Sequence, residues 1–212
     1  MCSVHVSSTH GMIPGVSVEP RVRFEFSLFV PGIRLLTKRG FSAPKPLGKG
    51  SLEPQKRANG SYKQTRNGTL VWGDKPEVYD WVNKIAACAL QRRSQLIASG
   101  YDPFPYRGAV KVSTLFVYER PTSQRRGHPI AKTVQHDLDK LQRALGDAIT
   151  PTRDPKFPMG DIIEDDKLIT TWGNPRKRFI DQIRWRKVTP AAGVFFKIEE
   201  DPDDPIDIRE YL

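Results

Sequence analysis

The longest periodic pattern in the sequence runs from Pro76 to Gly100. A proline near the first turn and a glycine after the last apolar position are typical helix boundaries, so the pattern predicts a helix over Pro76–Ala98. Its apolar positions approximate one face: Val78, Trp81, Val82, Ile85, Ala89 and Leu96. A helix with one apolar stripe must bury it against another layer, which the rest of the chain has to supply.

That layer is predicted to be a sheet. Alternating or β-branched runs indicate strands at Arg23–Val30 and near residues 109–120, 167–172 and 193–200. With a second short helix between them, the order predicts an α/β (α+β) fold, a small mixed β-sheet with two flanking helices. Residues 1–22 are expected to form a flexible extension, residues 23–200 the folded domain and residues 201–212 an acidic tail. No internal repeat is recognised.

The charge of the chain favours a polyanionic partner. Its 212 residues include 34 Lys and Arg against 24 Asp and Glu, a net charge of +10. Residues 33–71 carry one acid, Glu53, and two Asn-Gly turns, which predicts an open, hairpin-like basic flap. No apolar run reaches the roughly 18 residues that span a bilayer, and the start of the chain does not resemble a secretory signal. We therefore expect no membrane partner and a cytoplasmic location.

Two acidic clusters interrupt this basic sequence. Asp137 and Asp139 precede an aliphatic stripe, and Asp139 with Gln142 fits a capping box, so Asp139 is predicted as the N-cap of the second helix. Asp165 and Asp166 precede the strand near residue 169, and one of them is expected to face the first cluster. A solvated turn is the alternative for the second cluster.

Carboxylates gathered at one point repel each other unless a cation neutralises them. Hard oxygen ligands suit Mg²⁺ or Mn²⁺, and such ions commonly activate water against phosphodiesters. A basic protein with this kind of site is most simply a nuclease.

The acidic blocks resemble those of the RusA-type Holliday junction resolvases, small dimeric endonucleases often encoded by phages and prophages. The residues that carry the resemblance are Asp137-Leu138-Asp139 with Leu141, then Asp147-Ala148-Ile149, then Asp165-Asp166 with Ile169. The resemblance spans about residues 23–200. It implies a homodimer that resolves four-way DNA junctions in recombination and repair, in the cytoplasm of a bacterium.

The resemblance also implies roles for individual residues. Asp137, Asp139 and Asp166 would be the catalytic carboxylates and Mg²⁺ or Mn²⁺ ligands, with Asp165 beside them. Lys140 stands where the family usually has Asn, and Arg143 where it has a functional Lys. Either cation could stabilise charge during cleavage, although an arginine is effectively never deprotonated.

A larger set of cationic and aromatic residues is predicted to contact DNA, through phosphate binding or base stacking. The set is Lys45, Lys49, Lys56, Arg57, Arg125, Arg126, Lys132, Arg176, Lys177, Arg178 and Trp185. Two other functions stay open. One is a DNA-binding module that has lost nuclease activity, and the other is a metal-dependent hydrolase of small phosphates, which would leave the basic flap without a purpose.

Overall fold

The computed structural model describes residues 23–37, 40–49, 53–73, 75–122, 137–151, 160–184 and 189–202. The predicted N-terminal extension, most of the acidic tail, and four predicted DNA contacts lie outside these residues. Those four contacts are Arg125, Arg126, Lys132 and Trp185.

Four long strands form one mixed sheet, as predicted. In chain order the strands of the fold are β1 (Glu25–Pro31), β2 (Leu36–Thr37), β3 (Gly40–Phe41), β4 (Glu53–Pro54), β5 (Trp72–Gly73), β6 (Val110–Tyr118), β7 (Ile169–Phe179) and β8 (Gly193–Glu200). The main sheet has the order β1-β8-β6-β7, in which only the β6–β7 pair is parallel. The other four strands make two separate two-stranded ladders.

The first helix, α1 (Pro76–Ala98), has the predicted bounds. Pro76 occupies the first turn, where its missing N–H costs no intrahelical bond, and Gly100 follows the end with a positive φ of 88°. The second helix, α2 (Leu138–Ile149), packs against α1 and β7, while α1 also contacts β1. The two helices and the sheet share one buried core that includes Phe26, Trp81 and Leu141. The predicted small α+β fold is therefore confirmed.

Strand β7 is longer than its sequence predicts, because the strand pattern weakens at Gly173-Asn174-Pro175. β7 lies at the edge of the sheet, where a proline removes no necessary hydrogen bond. Asn174 has a φ of 47°, and the register with β6 shifts between Ser113 and Leu115. The shift in register accommodates Asn174 and Pro175 within the strand, so β7 continues through the basic run Arg176-Lys177-Arg178.

Part of the predicted basic flap is a well-defined substructure. β4 pairs with β5, and single bridges join Lys56 to Tyr62 and Gln64 to Leu70. Both predicted Asn-Gly turns are confirmed, with φ of 83° at Gly60 and 77° at Gly68. We call residues 53–73 the fork. No helix within the described part of the chain is long and apolar enough to cross a membrane.

Candidate functional site

The acidic residues are positioned by helix α2. Its apolar stripe is buried as predicted and fixes which face is left open; the stripe consists of Leu141, Ala144, Leu145 and Ala148. Asp139, Arg143 and Asp147 follow each other at intervals of four residues, so they share the adjacent face. Helix α2 therefore carries a charged row, Asp139, Arg143 and Asp147, next to its buried apolar stripe.

The predicted N-cap is wrong by two residues. The N-cap of α2 is Asp137, which has extended backbone angles and whose carbonyl accepts a hydrogen bond from the Leu141 N–H at 3.2 Å. Its side chain makes no capping bond. Asp139 instead lies in the first helical turn, where its carboxylate accepts a hydrogen bond from the Arg143 guanidinium at 2.8 Å. The position still suits an acid, because a negative charge is favourable in the first turn of a helix.

The charged row of α2 faces the start of β7 across a pocket of about 350 Å³. Three carboxylates line it, Asp139 and Asp147 from α2 and Asp166 from the turn before β7. The remaining lining residues are Gln142, Arg143, Gly146, Ile169 and Trp172. One residue of each acidic cluster of the sequence, Asp139 and Asp166, therefore lines the same pocket.

Asp165 and Asp166 have different structural roles. They were expected on an extended chain, but Asp166 begins a single 3₁₀ turn, Asp166–Leu168, that leads into β7. Asp165 caps this turn, its carboxylate accepting a hydrogen bond from the Lys167 N–H at 3.0 Å. The turn aims Asp166 at the pocket and keeps Asp165 outside its lining.

The pocket holds an excess of negative charge at Asp166. The pKa of Asp166 is raised, first by partial burial of its carboxyl group, then by a hydrogen bond with Asp165 and by the negative charges of Asp165 and Asp147. Lys167 opposes this rise. Partial burial is the largest cause of the raised pKa, and the neighbouring carboxylates add to it.

A cation from the basic flap reaches this pocket. The Lys49 ammonium forms an ion pair with Asp147, and the Lys49 N–H donates a hydrogen bond to the Lys140 carbonyl at 2.8 Å. Lys49 was predicted to contact DNA, and Asp147 was not predicted as a site residue. The contact joins residues 98 positions apart, which no local pattern could indicate. Two signals for Asp147 were available in the sequence, its four-residue spacing from Asp139 through Arg143 and its place in the Asp147-Ala148-Ile149 motif of the resemblance.

Two predicted catalytic residues lie beside the pocket and not in its lining. The Asp137 carboxylate is 69% exposed and lies 3.5 Å from the Lys140 ammonium. Neither residue is among those that line the cavity, whereas Arg143 is. Asp147, and not Asp137, thus shares the lining of the pocket with Asp166.

The donor set suits a hard divalent cation in its chemistry and charge. Carboxylate oxygens are the ligands that Mg²⁺ and Mn²⁺ prefer, and the negative charges of Asp165 and Asp147 act on Asp166 in a direction that also favours a cation. In the described ranges, no three His, Cys, Asp or Glu side chains are grouped closely enough to hold a metal. Arg143 and Lys49 hold Asp139 and Asp147, so bound metal would have to compete with both cations.

The other described residues predicted to contact DNA lie on three different elements. Lys56 and Arg57 are exposed in the fork. The edge strand β7 carries Arg176, Lys177 and Arg178, four to six residues after the pocket residue Trp172. Lys45 is half-buried, and its backbone pairs with Ile33 through hydrogen bonds of 3.0 and 3.1 Å.

The chain was compared with protein-family models, none of which matches it, and with curated proteins, among which no significant match is found.

Proposed function

We propose that this protein is a metal-dependent endonuclease that cleaves phosphodiesters in branched DNA. The observation that carries the proposal is the pocket lined by Asp139, Asp147 and Asp166 on a chain of net charge +10. Acids gathered in one pocket of a basic protein suit a site where cations and phosphates meet. The resemblance to the RusA-type resolvases supports the same function and suggests a four-way junction as substrate for a homodimer.

We assign metal binding to the aspartates of the pocket and phosphate binding to its arginine. Asp147 and Asp166 would hold a Mg²⁺ or Mn²⁺ ion, with Asp139 completing the acidic wall. Such an ion, when bound, supplies a Lewis acid and a water of lowered pKa. Arg143 lies at the pocket with a guanidinium that can bind a phosphate through two parallel hydrogen bonds, so we assign it the scissile phosphate.

Our assignment differs from the resemblance at one residue. The resemblance implies Asp137 as a catalytic carboxylate, but the pocket lining contains Asp147 and not Asp137. We therefore propose that Asp147 takes this role and that Asp137, next to Lys140, affects the charge at the entrance only.

Cleavage of a synthetic four-way junction tests the proposal. Wild-type protein with Mg²⁺ or Mn²⁺ should introduce paired nicks, and Asp166→Asn should abolish them while still binding the junction. Gln142→Ala is the matched control, because it alters an uncharged residue of the same pocket. Equal cutting by wild type and Asp166→Asn would overturn the proposal.

A specific observation favours a second function, a DNA-binding module without nuclease activity. Arg143 and Lys49 already neutralise two of the three carboxylates, as they would in a site that no longer binds metal. Under this alternative the protein binds junctions in a salt-dependent way and cleaves nothing under any divalent ion. The same junction assay separates the two functions.

A further inference from the structure

The expectation of no internal repeat is wrong at the fork, which contains a short repeat of eight residues. Its units are QKRANGSY, residues 55–62, and KQTRNGTL, residues 63–70. Both place Asn-Gly at the fifth and sixth positions and a hydroxyl residue at the seventh. Such a repeat predicts two copies of one local structure.

The two copies form nearly the same turn. In the first, the Arg57 N–H donates to the Ser61 carbonyl at 2.7 Å and the Gly60 N–H to the Arg57 carbonyl at 2.9 Å. In the second, the corresponding bonds from Thr65 to Thr69 and from Gly68 to Thr65 measure 2.8 and 3.0 Å. Each is a three-residue hairpin loop closed by a glycine of positive φ. We call residues 56–62 arm 1 and residues 64–70 arm 2.

A closed ring of backbone hydrogen bonds joins the arms to the body. The Gln55 N–H donates to the Val71 carbonyl at 2.8 Å, the Lys63 N–H to the Gln55 carbonyl at 2.7 Å, and the Val71 N–H to the Lys63 carbonyl at 2.9 Å. Three short ladders meet at this ring, the two arms and the β4–β5 stem. At about 3.3 Å per residue, each tip stands roughly 10 Å from the ring.

Burial does not explain why this segment is ordered. Residues 56–69 are all exposed, and a methyl group added at Gly60 or Gly68 would meet no atom within 4 Å. Two specific turns and a ring of hydrogen bonds thus hold a projection that contributes little to the core. An ordered projection of this kind suits a contact with another molecule.

The charge of the fork identifies the chemistry of that molecule. Lys56, Arg57, Lys63 and Arg66 are exposed, and no acid occurs between Pro54 and Gly73. Within the described residues, none of these four cations pairs with a carboxylate. Tyr62 and Leu70 are the two large apolar side chains of the arms, and each stands alone, so the arms lack the continuous apolar face that membrane insertion requires.

We propose that the fork is a two-armed grip on the phosphate backbone of DNA. Two arms that leave a common ring, each extending roughly 10 Å, can contact phosphates at two places on one DNA molecule. The contacts are with phosphates and not with bases, so they hold DNA of any sequence. This inference rests on the proposed function for its substrate and adds the surface that binds it.

Salt-dependent binding tests the grip. Fluorescence anisotropy with a labelled four-way junction and a labelled duplex, in EDTA, would compare wild type with the triple variant Lys56→Ala, Arg57→Ala, Arg66→Ala. The triple variant should bind at least about 10-fold more weakly than wild type at 100 mM NaCl. The slope of log binding constant against log salt concentration should be smaller in magnitude by about two to three. The charge-preserving pair Lys56→Arg, Arg57→Lys should bind within about twofold of wild type. Arg107→Ala, which removes an exposed cation outside the fork, should do the same.

The outcomes separate this proposal from the nuclease proposal. If the triple variant folds with an unchanged melting temperature and binds DNA like wild type, the grip is wrong, whether or not wild type cleaves. If it loses binding while wild type cleaves nothing, the grip stands and the nuclease proposal fails. Charge-dependent binding to phosphatidylserine vesicles without DNA binding would overturn the grip in favour of a membrane surface.

Discussion

The acidic pocket and the fork are both charged and both open to solvent, but they are held in opposite ways. Two of the three pocket carboxylates, those of Asp139 and Asp147, project from helix α2, whose adjacent face is buried, with Leu141 and Leu145 at 0% exposure. The fork has no buried residue from Lys56 to Thr69 and is ordered by turns and backbone hydrogen bonds. One region is supported by packing, the other by local geometry.

This difference matches the demands of the two proposed roles. Phosphodiester chemistry requires carboxylates fixed to within fractions of an ångström, which side chains on a packed helix provide. Gripping a charged backbone tolerates small movements, because the attraction is long-range and not directional. The basic flap accordingly contains two parts, Lys49 paired with Asp147 of the pocket and the fork, none of whose residues lines the pocket.

The largest effect expected from this contrast is on stability. Leu145→Ala in α2 should lower the free energy of unfolding by about 2–5 kcal/mol, because it leaves a cavity in the core. Tyr62→Ala in the fork, at a side chain 50% exposed, should change it by less than about 0.5 kcal/mol. Urea denaturation followed by circular dichroism measures both, and similar losses in the two variants would remove the distinction.

The next effect is on cleavage and separates two neighbouring aspartates. Asp147→Asn should reduce junction cleavage by at least about 100-fold, since even outer-shell partners of a metal contribute 10- to 100-fold. Asp137→Asn, a matched loss of one carboxylate outside the pocket lining, should retain most of the activity. Initial rates at saturating DNA measure both. Loss of activity in Asp137→Asn alone would support the assignment implied by the family resemblance.

A smaller effect is a pair of opposite pH dependences in stability. Because the pKa of Asp166 is raised, the folded chain keeps a proton that the unfolded chain has released, and stability falls as pH rises from the ordinary carboxyl pKa through the raised one. Hydrogen bonds from Thr170 and Thr171 lower the pKa of Asp201, so its contribution is present above the ordinary value and lost as pH falls.

Asparagine variants test these signs. At pH 7, Asp166→Asn should be more stable than wild type and Asp201→Asn less stable, each by under about 1 kcal/mol after solvent screening. Thermal unfolding from pH 3 to pH 7 should show both differences shrinking towards acid, as a growing fraction of each carboxyl group becomes protonated. A destabilised Asp166→Asn at pH 7 would contradict the excess of negative charge in the pocket.

The smallest effect concerns the link between the two regions. Lys49→Met removes the ammonium that pairs with Asp147 but keeps the backbone hydrogen bond to Lys140. Lys49 no longer competes with Mg²⁺ for Asp147 in this variant. Cleavage should therefore be half-maximal at a Mg²⁺ concentration about two- to fivefold lower than in wild type, in line with the strength of a partly exposed ion pair. A Mg²⁺ titration at saturating DNA measures it. A higher Mg²⁺ requirement would indicate that Lys49 supports the site.

Local patterns predicted the parts of the fold that local chemistry determines. Helix α1 has its predicted bounds because Pro76 and Gly100 mark both ends, and β8 has them because its eight residues form a continuous run. Strand β7 exceeded its prediction because a position at the sheet edge tolerates Pro175, and edge positions are set by the whole sheet.

The acidic site was predictable in its elements but not in its pairings. The sequence predicted that α2 and the acids before β7 face one another across a common sheet, and Asp139 and Asp166 do line one pocket, without Asp137. It misplaced the helix start, because Asp137 and Asp139 are both acceptable N-caps and only the packing of α2 chooses between them. It also missed the Lys49–Asp147 contact, which depends on the path of a distant loop.

Direct binding of Mn²⁺ tests the central claim, that Asp147 and Asp166 form a cation site with Asp139. Isothermal titration calorimetry of wild type should show one Mn²⁺ bound per chain. The affinity should be at least about 10-fold weaker in the double variant Asp147→Asn, Asp166→Asn and within twofold of wild type in Asp137→Asn. Undiminished binding in the double variant, or a loss confined to Asp137→Asn, would contradict the claim.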